Sequence, residues 1–173
     1  MTALNILPEC YVDTKLAEIL GNATKKYNHQ HGHGNVANKM KYALANQFAL
    51  GIIDEDTVKV RKAKYFSEFN DVKEENGLKL KKHREKEHYL IIICPEIEAF
   101  IFKNAEIVSL QPDTFGLPSE MIGFVHLSKS KDIDSNIGFK KMIKEMLNLK
   151  ASGIVTLSFW IHSFMNGNMN TIK

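Results

Sequence analysis

The chain has 173 residues, of which 44% are hydrophobic and 25% charged, with a formal net charge of +3. That length and balance suit one ordinary globular domain and exclude a largely disordered or collagen-like chain. The longest apolar runs, such as residues 90–94, are far too short to cross a bilayer, and no basic segment followed by a long apolar one opens the chain. Neither a signal peptide nor a membrane partner is expected. The two cysteines, Cys10 and Cys94, have no paired spacing and read as reduced thiols of a cytoplasmic protein.

In chain order, residues 10–12 form a short apolar segment read as a strand. A helix over 15–20 follows, capped by Asp13 or Thr14 and ended by Gly21. A polar loop rich in Gly and His covers 22–34. Over 35–47, Val36, Met40, Ala43 and Leu44 share one helical face. Residues 48–53 are continuously apolar, as in a strand buried on both faces. Residues 78–82 alternate apolar and charged side chains, as a half-exposed strand does. A second apolar run, 89–94, stops at Pro95, which also suits the first position of a helix over 96–105. Residues 117–127 are ambiguous. Two amphipathic helices, 137–149 and 152–164, finish the fold, with Phe139, Met142, Ile143, Met146 and Leu147 inward on the first, and the tail 166–173 reads as frayed. Strands alternating with helices predict an α/β domain with a mainly parallel sheet, residues 1–110, and a C-terminal helical extension, 111–173, packed on it.

In parallel sheets, function gathers outside the carboxyl ends of the strands, and here those ends are acidic. The first segment ends in Asp13. The 48–53 strand ends in Asp54-Glu55-Asp56, and the 89–94 strand leads through Pro95 to Glu96 and Glu98. Acidic side chains at helix N-termini are favourable by about 0.3–1 kcal/mol each, which accounts for Asp13, Glu96 and Glu98 without any function. It accounts less well for Asp54 and Asp56, because the β-branched residues after them do not resemble a helix. Carboxylates converging on one edge repel each other unless a cation lies between them, and hard oxygen donors suit Mg²⁺ or Mn²⁺.

Residues 52–58 (IIDEDTV) fit the first motif of the haloacid-dehalogenase-like phosphatases, but the later lysine and the acidic pair at a strand end are missing. A second resemblance covers more of the chain. Residues 10–20 (CYVDTKLAEIL), 48–56 (FALGIIDED) and 88–102 (HYLIIICPEIEAFIF) resemble in layout the Toprim-like domains of topoisomerases, primases and phage-defence nucleases, with a Rossmann-like sheet, over roughly residues 9–105. Those domains carry a Glu after the first strand and an Asp-x-Asp after a later one. The resemblance implies a Mg²⁺- or Mn²⁺-dependent phosphodiesterase or nuclease acting on nucleic acid, with Asp54, Asp56 and Glu98 about the metal. Asp13 stands in for the acid/base Glu, and Thr14 replaces the Gly that usually follows. Asp is one methylene shorter than Glu, enough to displace a proton donor. The alternative is a catalytically inactive binding module of a bacterial defence or mobile-element system.

Two basic regions are candidates for phosphate contact. In residues 59–88, ten Lys/Arg stand against six Asp/Glu, with Lys79, Lys81, Lys82, Arg84 and Lys86 tightly grouped. They can track a phosphate backbone, or they can be the solvated face of an edge strand that blocks pairing. The loop carrying Lys25, Lys26, His29, His31 and His33 can equally be an ordinary polar loop, an anion contact or, through its three alternating histidines, a transition-metal site. On the last helix, Ile154, Leu157, Trp160, Ile161 and Phe164 form a broad apolar face, suited to the core, to a homodimer or to a protein partner.

Overall fold

The two continuous apolar runs lie side by side at the centre of a sheet, where burial on both faces requires them. The computed structural model describes residues 5–23, 26–55 and 63–172. Within them, β1 (Ile6–Pro8), β2 (Ala49–Asp54), β3 (Phe69–Glu75), β4 (Leu78–His83) and β5 (His88–Ile93) form one five-stranded sheet in the order β1-β2-β5-β4-β3. β2 pairs in parallel with β1 on one side and β5 on the other, whereas β4 is antiparallel to both β5 and β3. The class is α/β as expected; the sheet is mixed, with a parallel half and an antiparallel half.

The helices are α1 (Tyr11–Leu20), α2 (His33–Asn38), α3 (Ile97–Ile107), α4 (Met121–Ser128), α5 (Ile137–Asn148) and α6 (Ser152–Met165). The period-2 alternation of a strand divides the core into two layers. Leu50, Ile52, Ile91 and Ile93 face α1, α3, α5 and α6, while Ala49, Ile53, Leu90 and Ile92 face α2 and the aromatic residues Tyr65, Phe66 and Phe69.

Several expected boundaries move. Residues 10–12 are not a strand: Cys10 is the N-cap of α1, and the first strand is the three-residue β1 before it. The helix expected over 35–47 begins at His33 and widens into a π-helical turn over Lys39–Ala43; Val36, Met40 and Leu44 are buried on it, but Ala43 is exposed. Pro95 precedes the N-cap Glu96 of α3 instead of opening the helix. The ambiguous stretch resolves into α4. The tail is not frayed, since Met169–Ile172 forms a 3₁₀ turn that buries Ile172 against the main core.

β3 lies outside the expected strands, and it changes the meaning of the lysine cluster. β4 is an inner strand, not an edge strand, and its turn to β3 is built by Asn76 and Gly77, both at positive φ. That geometry is the hairpin turn favoured by Asn-Gly.

Residues after 110 are bonded into the α/β core. Asn104, buried on α3, accepts at Oδ1 from the backbone N–H groups of Gly153 and Ile154 at 2.8 and 3.3 Å and donates from Nδ2 to Phe100 O. It thereby supplies the start of α6 with the acceptor that Ala151, its N-cap, lacks. Asn104→Ala leaves two buried donors without that acceptor and is expected to destabilise the protein by about 1–3 kcal/mol, read as a lower denaturant midpoint at unchanged slope.

Candidate functional site

The carboxyl ends of β1, β2 and β5 bring four acidic side chains together. Glu9 directly follows β1, continuing the parallel ladder through Glu9 N–H to Ile52 O at 3.0 Å. Asp54 ends β2. Asp13 lies in the first turn of α1, where its Oδ2 accepts from the Cys10 backbone N–H at 3.0 Å. Glu98 lies in the first turn of α3 and accepts a short hydrogen bond from Ser128 Oγ on α4. Glu9, Asp13 and Glu98 are buried and Asp54 is half-buried.

Each carboxylate has a local structural task. Asp54 Oδ1 accepts from Ile97 N–H at 2.9 Å, which satisfies one open donor at the start of α3. Glu9 Oε1 faces His33 Nδ1 at 2.8 Å, and its Oε2 lies at a long 3.4 Å from Asp54 N. His33 Nε2 meets Asp54 O at 3.0 Å. Because a carbonyl only accepts, Nε2 carries a proton, and the imidazole ties the ends of β1 and β2 together.

The local help does not neutralise the cluster. Burial, then the charges of Asp13, Glu9 and Glu98, push Asp54 well above the usual carboxylate range. Asp13 is also raised, first by burial and then by Glu9 and Glu98, against the lowering effect of its bonds to Cys10. Asp13 Oδ1 is fully buried with no hydrogen-bond partner among the described residues. The site therefore holds surplus negative charge in a largely buried setting, which costs free energy unless protons or a cation relieve it.

Of the expected site residues, Asp13, Asp54 and Glu98 do converge, whereas Asp56 and Lys25 lie outside the described residues. The place assigned to Asp13, directly after the first strand, belongs instead to Glu9, because the strand ends four residues earlier than the apolar trio 10–12 suggests. The histidine triplet divides. His29 and His31 stack on each other at 3.9 Å between ring centroids and edge onto Tyr11, while His33 turns inward onto Glu9. A site built from all three is not formed. Residues 28–32 instead run along the outer edge of β1, with Asn28 N–H on Ile6 O and Gln30 N–H on Pro8 O, covering an edge that would otherwise invite pairing.

The other basic residues are not one patch beside the acidic edge. Lys81 and Lys82, adjacent on β4, project from opposite faces of the sheet. Lys81 pairs with Asp71 at 2.8 Å, and Lys82 with Glu87 at 3.1 Å. Arg84 bonds Asn70 Oδ1 and Ser67 O. Since β4 runs against β5, Arg84 sits past the end of the sheet away from Asp54. Lys26 is exposed and pairs with Asp134 at 3.3 Å.

Among the described residues no group of three or more His, Cys, Asp or Glu side chains is arranged to hold a metal ion, and no helix is long and apolar enough to cross a membrane. Comparison with protein-family models, with curated proteins and with solved structures finds no match to this chain.

Proposed function

We propose that the chain is a Toprim-like domain whose acidic edge takes Mg²⁺ or Mn²⁺ and hydrolyses phosphodiester bonds in nucleic acid. The observation that carries this reading is Glu9 beside Asp54, at the carboxyl ends of two adjacent parallel strands, with Asp13 and Glu98 at the same edge. A Glu after the first strand is the feature that the sequence resemblance lacked. The donors are hard oxygens, the kind that Mg²⁺ and Mn²⁺ prefer, and the unpartnered Asp13 Oδ1 supports a cationic neighbour. Glu9 and Asp54 would hold the ion, with Glu98, fixed by Ser128, or Asp13 completing or orienting the set. Such an ion supplies charge to a phosphoryl oxygen and lowers the pKa of a bound water. Glu9, steadied by His33, would hold the ion and orient its bound water. His29 and His31, on the segment that borders Glu9, and Lys26 before it are candidates for contacts to the nucleic-acid backbone.

Millimolar Mn²⁺ should raise the melting temperature of the wild-type protein by ~2–6 °C, since a ligand that binds only the native state stabilises it by mass action. Glu9→Gln should abolish that shift together with Mn²⁺-dependent cleavage of end-labelled single-stranded DNA or RNA. Identical melting with and without cation would count against the reading. A second reading rests on the lack of a complete ligand set among the described residues: the same edge serves a binding module without catalysis. A Mn²⁺ shift without cleavage would favour it.

A further inference from the structure

A second, chemically opposite site lies on the flank of α1. Lys15 and Glu18 form an i, i+3 pair on that helix, Asn22 lies just past its C-cap Gly21, and Lys140 and Lys144 form an i, i+4 pair on α5. With Ile19 and Ala23, these residues line a cavity of about 270 Å³ between the two helices. We infer that this cavity is a binding site for a phosphate group, held by Lys15, Lys140 and Lys144.

The charge balance supports it. The three ammonium groups come from helices more than 100 residues apart, so they are not one local charge run, and Lys140 and Lys144 are exposed while Lys15 is half-buried. None forms an ion pair with a carboxylate among the described residues, in contrast to Lys79, Lys81 and Lys82 on β4. Glu18, the one acidic residue of the lining, gives its Oε1 to the Tyr27 backbone N–H at 2.9 Å. Like charges at i, i+4 are mildly destabilising, and a concave surface with an excess of one sign raises the local concentration of an opposite ion. Lysine presents a compact point charge with three donors, which suits a tetrahedral phosphate. The volume falls below the ~300–1,000 Å³ of pockets for drug-sized ligands, as befits one phosphate group with little attached. Asn22 adds a neutral amide to the lining.

The inference is independent of the acidic edge, and its test uses no metal. Inorganic phosphate is titrated into the full chain by calorimetry, with sodium chloride at matched ionic strength as the reference. The wild type should bind phosphate, and Lys140→Ala/Lys144→Ala should lose about tenfold in affinity. Lys41→Ala/Lys64→Ala, which removes the same charge from exposed positions on the other side of the sheet, should bind as the wild type does. An equal loss in both double variants would show a general field effect and overturn the site, as would a wild-type response no larger than that to chloride. Glu9→Gln should leave phosphate binding unchanged, which separates this site from the proposed cation edge. A short single-stranded oligonucleotide that displaces phosphate identifies the source as a nucleic-acid backbone. Failure to displace it identifies a free phosphate or small phosphorylated molecule, and either result upholds the site.

Discussion

Asp54→Asn is expected to stabilise the metal-free protein at neutral and alkaline pH, while removing its response to Mn²⁺. The amide keeps an oxygen to accept from Ile97 N–H, so the start of α3 remains satisfied. What it removes is a charge that burial, Asp13, Glu9 and Glu98 all oppose. The sign follows from linkage. In the unfolded chain an aspartate titrates near pH 4, whereas in the native protein Asp54 and Asp13 keep their protons to higher pH. The native state therefore binds more protons than the unfolded state above about pH 4, and stability falls as pH rises towards the native values. A tenfold difference in proton affinity between the two states is worth about 1.4 kcal/mol. After allowance for relaxation around the new amide, Asp54→Asn should gain ~1–3 kcal/mol at pH 8 and little at pH 4.

His88 acts in the opposite direction. Its Nε2 donates to Leu44 O and Gln47 O and its Nδ1 accepts from Tyr65 Oη at 2.6 Å, so the neutral ring is the one that fits, and burial lowers its pKa. Below about pH 6.5 the unfolded state binds the extra proton, and stability is lost as pH falls. Metal-free wild type should thus be most stable in mildly acidic buffer, and Asp54→Asn should flatten only the alkaline limb. With Mn²⁺ present the wild-type alkaline limb should instead rise, because metal and protons compete for the same oxygens. A variant less stable than wild type at every pH would show that the Asp54 charge is welcome where it stands, and the surplus-charge account of the edge would fail.

How much of this edge is legible in the sequence depends on the length of each element. β2 and β5 are six-residue strands that lie within one residue of the apolar runs 48–53 and 89–94, and their burial on both faces makes them unmistakable, so Asp54 and Glu98 can be placed from residue order alone. β1 has three residues and ends in proline, while the apolar trio after it belongs to a helix. Residue order therefore points to Asp13 where the structure places Glu9. The available signal is the spacing of Cys10 and Asp13, which lets the Asp carboxylate reach back to the N-cap N–H and so marks a helix start. β3 is acidic and half-exposed, with too weak an alternation to stand out, although Asn76-Gly77 before the alternating β4 is a hairpin signal in plain view. The inward turn of His33 is a tertiary outcome. His31 and Gly32, both at positive φ, reverse the chain just before it, and only the packed ends of β1 and β2 give the imidazole its two acceptors.

The C-terminal helices form part of the same core as the sheet, and Trp160→Ala is the substitution that should show it most strongly. Trp160 is fully buried in the cluster that also contains Ile6, Leu50 and Ile91. Around it, α6 is tied to several neighbours on that face of the sheet. Ser158 Oγ donates to Leu20 O at the end of α1, Asn76 Nδ2 donates to Thr156 Oγ1, and Phe164 packs on Tyr89 at 4.8 Å between centroids. Loss of the indole should cost about 3–5 kcal/mol, or roughly 6–20 °C in melting temperature for a chain of this size. The indole Nε1 has no hydrogen-bond partner among the described residues, so Trp160→Phe, which removes that buried donor and keeps most of the ring volume, should cost much less. If residues 111–173 were a separable appendage, Trp160→Ala would produce a second, earlier transition and leave the sheet intact. A shared core predicts instead one cooperative transition, with circular dichroism and tyrosine fluorescence coinciding at the lowered midpoint, and loss of Mn²⁺ and phosphate binding at that same temperature, because the acidic edge and the lysine cavity both rest on helices that α6 holds in place.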